Sequence, residues 1–399
     1  MSVCDMQETI LDKAVPFFLG LALLEFLWGR RRSVYRWNDS VSDLATGILY
    51  SFTGVVITLG AILLYDKIRI YYSVQSLFHF GEFPSSSPLS KTSNGWEFNL
   101  ESFLAWTFVL IAVDFIYYWF HRATHEIHLL WACHVTHHSS EEFNLTVALR
   151  QSMFQRIFEY AFNLPLALLG IPWWMFFICH GILKIYQFWV HTRLIGKLGW
   201  MEKVLLTPSH HRVHHGRDPE YLDKNHGGIL ILWDRWFGTY AEEKKEPIYG
   251  LTEPLPTFNP IWANLHVYIS LWNLVKATPS WKDKLLLLIK KPDWRPDSLG
   301  GEKKVPEINR STYVKFDPTI STSKKVYGIL QFLVLAGLSV YLLKLLKLGK
   351  ISLAMYSGFG VWFFFAFLSL GLVWNGRPKM EKWEVLKFVL LGVLAWNLK

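Results

Sequence analysis

"FLAWTFVLIAVDFIYYWF" occupies residues 103–120, and "HRATHEIHLLWACHVTHH" follows at once over residues 121–138. The first stretch is apolar enough to cross the roughly 30 Å hydrocarbon core of a bilayer as a helix. The second holds six histidines. Imidazole is a poor neighbour for lipid and a good ligand for transition metals. The junction therefore reads as a membrane span that delivers metal ligands where it leaves the bilayer. A second cluster, "SHHRVHH" at residues 209–215, has the same character.

The rest of the chain fits that frame. Of 399 residues, 51% are hydrophobic and 17% aromatic, with 20 Trp. The apolar residues are bunched into runs at roughly 14–28, 43–65, 102–120, 158–171, 173–190, 326–347, 351–374 and 383–397. Trp and Tyr in excess suit membrane–water interfaces. The expected fold is all-α: a polytopic integral membrane protein with a cytoplasmic helical cap carrying a histidine-rich dimetal site. The first, fourth, fifth and last runs are short. "LLGIPWW" interrupts residues 158–190, and Gly170 and Pro172 mark a turn there. This pair reads as a hairpin that dips into the bilayer and returns, or as two full crossings.

Composition divides the chain into an N-terminal membrane part with a far-side loop (1–100), a catalytic region with the histidine boxes (101–280), a linker (281–325) and C-terminal spans (326–399). Arg30, Arg31, Arg32 and Arg36 lie between the first two runs. Basic residues in short loops stay cytoplasmic, so the Ser-rich stretch at 83–95 falls on the far side and His121 emerges into the cytoplasm. Residues 191–325 and "RPKMEK" (377–382) fall on the cytoplasmic side too, whereas Lys347 and Lys350 sit on the other side, against the rule. The net charge of +9 suits anionic headgroups, and with no nucleic-acid motif a nucleic-acid partner is excluded. Three cysteines, Cys4, Cys133 and Cys179, have no metal or redox spacing. The acidic N-terminal stretch has no basic n-region and no cleavage site, so the first run reads as an uncleaved span.

Three histidine boxes carry the chemistry. His121 and His125 are four apart and share a helix face, continuing a stripe from Asp114 and Tyr118. An Asp inside an apolar span is costly. Its expected task is to accept the far N–H of a ligand histidine. His134, His137 and His138 form H-x-x-H-H, and His211, His214 and His215 repeat it. The i and i+3 members are expected to share a face, with the adjacent His138 turned toward a second metal. The repeat suggests two similar half-sites, and His191 is a candidate ninth ligand. Nine neutral imidazoles are too many for one tetrahedral zinc. Two metals with four or five nitrogens each fit better, with Fe, Zn or Cu open. His79, His128 and His266 read as ordinary interface or surface residues, His180 as a hydrogen-bonded core histidine, and His210 as ambiguous. A membrane zinc hydrolase and a non-catalytic metal carrier are the competing classes.

The boxes H-x3-H, H-x2-H-H and H-x2-H-H set among membrane spans resemble the fatty acid hydroxylase/sterol desaturase superfamily, whose members are histidine-ligated di-iron membrane oxygenases. Within it, "YYWFHRATHE", "WACHVTHHSSEEFNLTVALRQS", "YQFWVHT" and "TPSHHRVHHGRDPEYLDKNHGGILILWDRWFGT" are similar to the tetrahydrobiopterin-dependent branch that cleaves glyceryl ethers. The resemblance implies iron at His121, His125, His134, His137, His138, His211, His214 and His215, with His191 a further ligand. It implies a catalytic requirement for Glu126 and an ether lipid (alkylglycerol) as substrate, and the lipid substrate with the uncleaved first span points to the endoplasmic reticulum membrane of a eukaryote. Tetrahydrobiopterin rests on the resemblance alone, as no motif marks a pterin site. His226 departs from it, standing where the branch more often has Tyr. It is either a group at the site or a surface substitution. "ILILWDRWFGTY" (229–240) reads as an interfacial segment closing a substrate tunnel, or as a packed part of the cap. The alternative within the superfamily is a sterol or acyl-chain hydroxylase served by a different electron donor.

Overall fold

The computed structural model describes residues 10–29, 34–79, 81–92, 95–306, 309–376 and 381–396. Cys4, the acidic N-terminal stretch through Glu8, Arg30 to Arg32 and residues 377–380 lie outside them. The described chain is helical, apart from one hairpin of β1 (Leu89–Thr92) and β2 (Gly95–Phe98) in the Ser-rich loop.

Among the described residues, four helices are long and apolar enough to span a bilayer: Trp37–Phe78, Leu100–Glu126, Thr322–Lys347 and Leu353–Trp374. The first comprises α2 (Trp37–Tyr72) and the short α3 (Val74–Phe78), after the shorter apolar α1 (Ile10–Gly29). At 1.5 Å per residue α2 is about 54 Å long, far more than a bilayer core needs. Its first turns bury Asn38, Asp39, Ser42, Asp43 and Thr46, so that end belongs to the polar cap and only the later turns face lipid. The second long helix, α4 (Leu100–Glu126), starts where the Asn99 side chain accepts the Ser102 amide at 2.8 Å. It ends at Ile127, whose extended backbone turns the chain directly into α5 (His128–His138).

The run at 158–171 is not one helix. It is α6 (Gln155–Phe162) and α7 (Leu164–Leu168), interrupted at Asn163 with Pro165 opening the second piece. Gly170 at φ +76° and Pro172 then turn the chain into α8 (Trp173–Trp189), whose 17 residues are at the lower limit for a crossing. Neither these pieces nor α8 is among the helices long and apolar enough to span a bilayer. A cap follows: α9 (Pro208–His214), α10 (Leu232–Phe237), α11 (Pro260–Ala277) and α12 (Trp281–Ile289). The chain closes with α13 (Thr322–Lys347), α14 (Leu353–Trp374) and α15 (Glu381–Trp396). The stretch 281–325 contains α12 and is tied down beyond it. Arg36 donates to the Phe316 carbonyl at 2.8 Å, Lys315 pairs with Glu142 at 2.7 Å, and Arg310 pairs with Asp218 at 2.6 Å.

Among the described residues, the two largest apolar cores hold most of the long helices. One joins α2, α11, α13 and α14, with Phe52 stacked on Tyr356 at 4.1 Å and tilted against Phe363. The other joins α2, α4, α6, α7 and α8 around Phe120, Met175 and Phe176. Between cap and membrane, Arg150 is fully buried. It donates to the Thr136 carbonyl at 2.7 Å, to Ser139 and Ser42, and to Asp43 at 3.0 Å. One guanidinium thereby fastens α5 to α2 with every hydrogen bond charge-assisted.

Gly371 of α14 lets the start of α11 approach closely. A Cβ there would stand 2.5 Å from Asn259 Cα, and Asn259 caps α11 by accepting from the Ile261 and Trp262 amides. Gly371→Ala is expected to destabilise by about 1–3 kcal/mol through overpacking, read as a lower melting temperature in detergent. Gly60→Ala, which meets open space, should leave it nearly unchanged.

Candidate metal centre

The histidines lie where four chain segments meet. The last two turns of α4 bring His121 and His125. α5, folded back at once, brings His134, His137 and His138. His191 stands just past α8. α9 is opened by Thr207 in a capping box with His210 and by Pro208 at its first position. It carries His211 and His214, with His215 at its C-cap. His210, left open by the sequence, is thus part of this cap.

All nine are buried and fall into two groups. His121, His125, His134, His138 and His214 form the first. His137, His191, His211 and His215 form the second. Within each group one ring nitrogen per residue lies within 4.8 Å of all the others. The boxes interleave. Residues four apart share a group (121/125, 134/138, 211/215), while His137 and His214, the third-residue members, cross to the other. The expectation that i and i+3 pair together is corrected: at 3.6 residues per turn the i+4 side chain lies closer in angle. The boxes are not half-sites either, since each of the two H-x-x-H-H boxes feeds both groups.

Backbone carbonyls decide which nitrogens face inward. His121 Nδ1 is 2.8 Å from the His226 carbonyl, His137 Nδ1 2.9 Å from that of Arg150, His191 Nδ1 2.8 Å from that of Gln187, and His214 Nδ1 2.9 Å from that of Lys224. A carbonyl only accepts, so each Nδ1 carries the hydrogen and each Nε2 is a bare lone pair. Yet His121 Nε2 is 3.1 Å from His134 Nε2, and His191 Nε2 is 3.2 Å from His137 Nε2. Lone pairs converging at that distance repel unless a cation lies between them. His125, His214 and His215 each also leave a buried Nε2 without a partner. The donor set fits two nitrogen-ligated transition metals. Protonation is no substitute: burial first, and neighbouring imidazoles second, hold His138, His211, His214 and His215 well below the ordinary histidine range. Burial brings His191 down to about 4.

Asp114 does not accept from a histidine. Its carboxylate takes the Ile229 amide at 2.6 Å, the Leu230 amide at 3.1 Å and Trp233 Nε1 at 2.8 Å. A buried second carboxylate, Asp234, takes the His226 and Gly227 amides at 2.7 and 2.8 Å and the Thr239 hydroxyl at 2.7 Å. Burial pushes Asp234 up to about 6 against these bonds. The two carboxylates clamp residues 226–230, and the His226 carbonyl then orients His121. Asp114 thus reaches the centre through a loop, which helical spacing alone could not reveal.

Glu126 belongs to neither group and pairs with Arg122 at 3.0 Å. Arg122 donates to Tyr118 Oη at 3.2 Å, and Tyr118 is 3.0 Å from the Thr239 hydroxyl that donates to Asp234. Glu126 and Tyr118 are therefore connected to the same clamp. His226 is not on the surface: it is fully buried, its ring lies against those of His121, His125 and His214, and neither ring nitrogen has a partner. The segment 229–240 buries Trp233 and Asp234 and exposes Trp236, so it is packed on one side and open on the other. His180 pairs with Glu159 at 3.0 Å in the core, His266 bonds the carbonyls one turn earlier, and His128 is buried rather than superficial. Sequence reading missed Arg150, Gln155 (3.4 Å from His134 Nδ1) and Asp234. For Arg150 and Asp234 the only available signal was their place inside the quoted motifs, and Gln155 lies just beyond them.

Comparison with known proteins agrees with this geometry. The family model for fatty acid hydroxylases matches residues 106–239. An alkylglycerol monooxygenase from Xenopus tropicalis is 35% identical over 95% of this chain and 80% of its own length. One from Homo sapiens is 36% identical over 96% of this chain and 81% of its own. An ornithine lipid hydroxylase from Rhizobium tropici is 29% identical over 33% of this chain and 40% of its own length. No solved structure matches the chain significantly.

Elemental analysis of the purified chain is expected to find two transition-metal ions. His138→Ala and His191→Ala, one from each group, should each remove at least one; retention of both ions in both variants would contradict the centre. Acid should act in a set direction. These histidines are neutral when folded and have depressed values, so the unfolded chain takes up protons first as pH falls below about 6.5. Each such histidine then costs about 1.4 kcal/mol per pH unit, and melting temperature and metal content should fall together. Gly228→Ala would place a Cβ 2.5 Å from Asp114 Oδ1 and should loosen the clamp, read as lost metal with the helix content kept.

Proposed function

The chain belongs to the alkylglycerol monooxygenase family of fatty acid hydroxylases, and from that premise we propose that it cleaves the ether bond of 1-O-alkylglycerols with O2 and tetrahydrobiopterin. The observation that carries the reading is the convergence of nine buried imidazoles, in groups of five and four, at the end of a membrane-spanning helix. His121, His125, His134, His138 and His214 would hold one iron, and His137, His191, His211 and His215 the other. Iron held there would supply activation of O2 beside a lipid.

The overall chemistry balances simply. One oxygen atom enters the C–H bond next to the ether oxygen, the other leaves as water, and the reduced pterin gives two electrons. The hemiacetal so formed collapses to a fatty aldehyde and glycerol. The chain's own residues prepare this by positioning. The carbonyls of Arg150, Gln187, Lys224 and His226 fix the imidazole tautomers. Phe143, stacked on Tyr249 and lying against His191 and His215, keeps water from the second group. Asp114, Tyr118 and Glu126 act on the 226–230 loop and through it on His121. The site suits an amphiphile whose tail lies in lipid and whose glycerol lies near the headgroups. The membrane would be the endoplasmic reticulum, with the histidine boxes toward the cytoplasm.

The test is aldehyde release from a long-chain 1-O-alkylglycerol by purified membranes, with and without tetrahydrobiopterin, for wild type and His137→Ala. Pterin-dependent aldehyde that falls at least 100-fold in the variant is expected. Iron-loaded wild type that releases none would leave acyl-chain or sterol hydroxylation as the reading. Zinc in place of iron would point to hydrolysis.

A further inference from the structure

Outside the spans, α12 carries an apolar stripe that is left exposed among the described residues. Trp281, Leu285 and Ile289, one turn apart in succession, are 79%, 62% and 61% exposed. Leu287, on the opposite face, is buried. Lys282 and Lys284 flank the stripe on its two edges by helical spacing, and Lys284 Nζ lies over the Trp281 ring at 4.6 Å. The preceding helix repeats the arrangement, with an exposed Trp272 and Lys276 Nζ 5.8 Å from its ring.

The ends of this helical pair fix its depth. At the start of α11, the Phe258 amide donates to Asn375 Oδ1 at 2.8 Å, immediately beyond the end of the spanning α14. At the end of α12, the Lys290 carbonyl accepts the His128 amide at 2.9 Å, two residues beyond the end of the spanning α4. A unit hung between two span ends lies along the bilayer surface and not above it. We infer that α11 and α12 form an in-plane interfacial element, with α12 laying Trp281, Leu285 and Ile289 into the acyl region and Lys282 and Lys284 onto anionic lipid headgroups. The charges match, the lysine stems can reach along the apolar stripe to the headgroups, and the aromatic rings suit that depth. The element also borders the first imidazole group. Lys291, directly after α12, pairs at 3.1 Å with Asp223, whose carboxylate is 3.8 Å from His125 Nδ1. The placement stands on the spans and is independent of the reaction catalysed.

The test uses the full chain in lipid nanodiscs. A Cys4→Ser background leaves only the buried Cys133 and Cys179, and a nitroxide is attached at Leu285→Cys or Lys282→Cys. Collision with O2, which concentrates in lipid, should exceed collision with a water-soluble nickel chelate several-fold at 285 and be reversed at 282. Adding anionic phospholipid to a zwitterionic disc should deepen the 285 label. Greater chelate access at 285 would overturn the inference by showing the stripe in water. Protection from both probes, or spin–spin broadening, would overturn it by showing a protein cover such as a second copy. Equal depth in the two lipids would overturn the role given to the lysines.

Discussion

Nine buried imidazoles converging in two groups are the constraint around which the cap is built. Such an arrangement is unfavourable by itself: burial disfavours charge on rings such as His138, His191, His211 and His215, and inward lone pairs repel. The chain holds it in place from behind. Four of the rings donate Nδ1–H to a backbone carbonyl, and two of those carbonyls are held by contacts of their own. That of His226 belongs to a loop clamped by two carboxylates. That of Arg150 belongs to a fully buried residue bonded to both α2 and α5. The over-long α2, the abrupt turn at Ile127 and the close glycine at 228 have a common reason in these requirements.

Much of this was legible beforehand because its periods are short. Apolar runs of span length and histidines three or four apart report on local geometry, and local geometry is what a helix repeats. The long runs at 102–120, 326–347 and 351–374 became helices near their expected bounds. The run at 158–171 did not, because hydropathy does not record that Asn163 and Pro165 cut the helix into pieces too short to cross.

The grouping of the histidines was less legible. Spacing says which rings share a helix face, but a group also needs a ring from a different helix, and tertiary packing alone sends His137 and His214 across. Asp114 teaches the same lesson. Its cost in an apolar span marked it as important, yet its partners, the Ile229 and Leu230 amides and the Trp233 indole, are more than 100 residues away. His226 was open at the level of sequence because one substitution carries no contact information. Its burial against three box histidines is purely a product of the fold.

The crossing of His137 and His214 between the groups also bears on ancestry. A centre made of two self-contained halves could arise by duplicating one mononuclear unit and fusing the copies. Here neither α5 nor α9 is such a unit, for each supplies both groups. A fragment bearing one H-x-x-H-H box lacks at least one member of each group: residues 121–138 hold four of the first group's five imidazoles and one of the second group's four. The two repeats of H-x-x-H-H look like copies in the sequence, but in space they are the two strands of one braid.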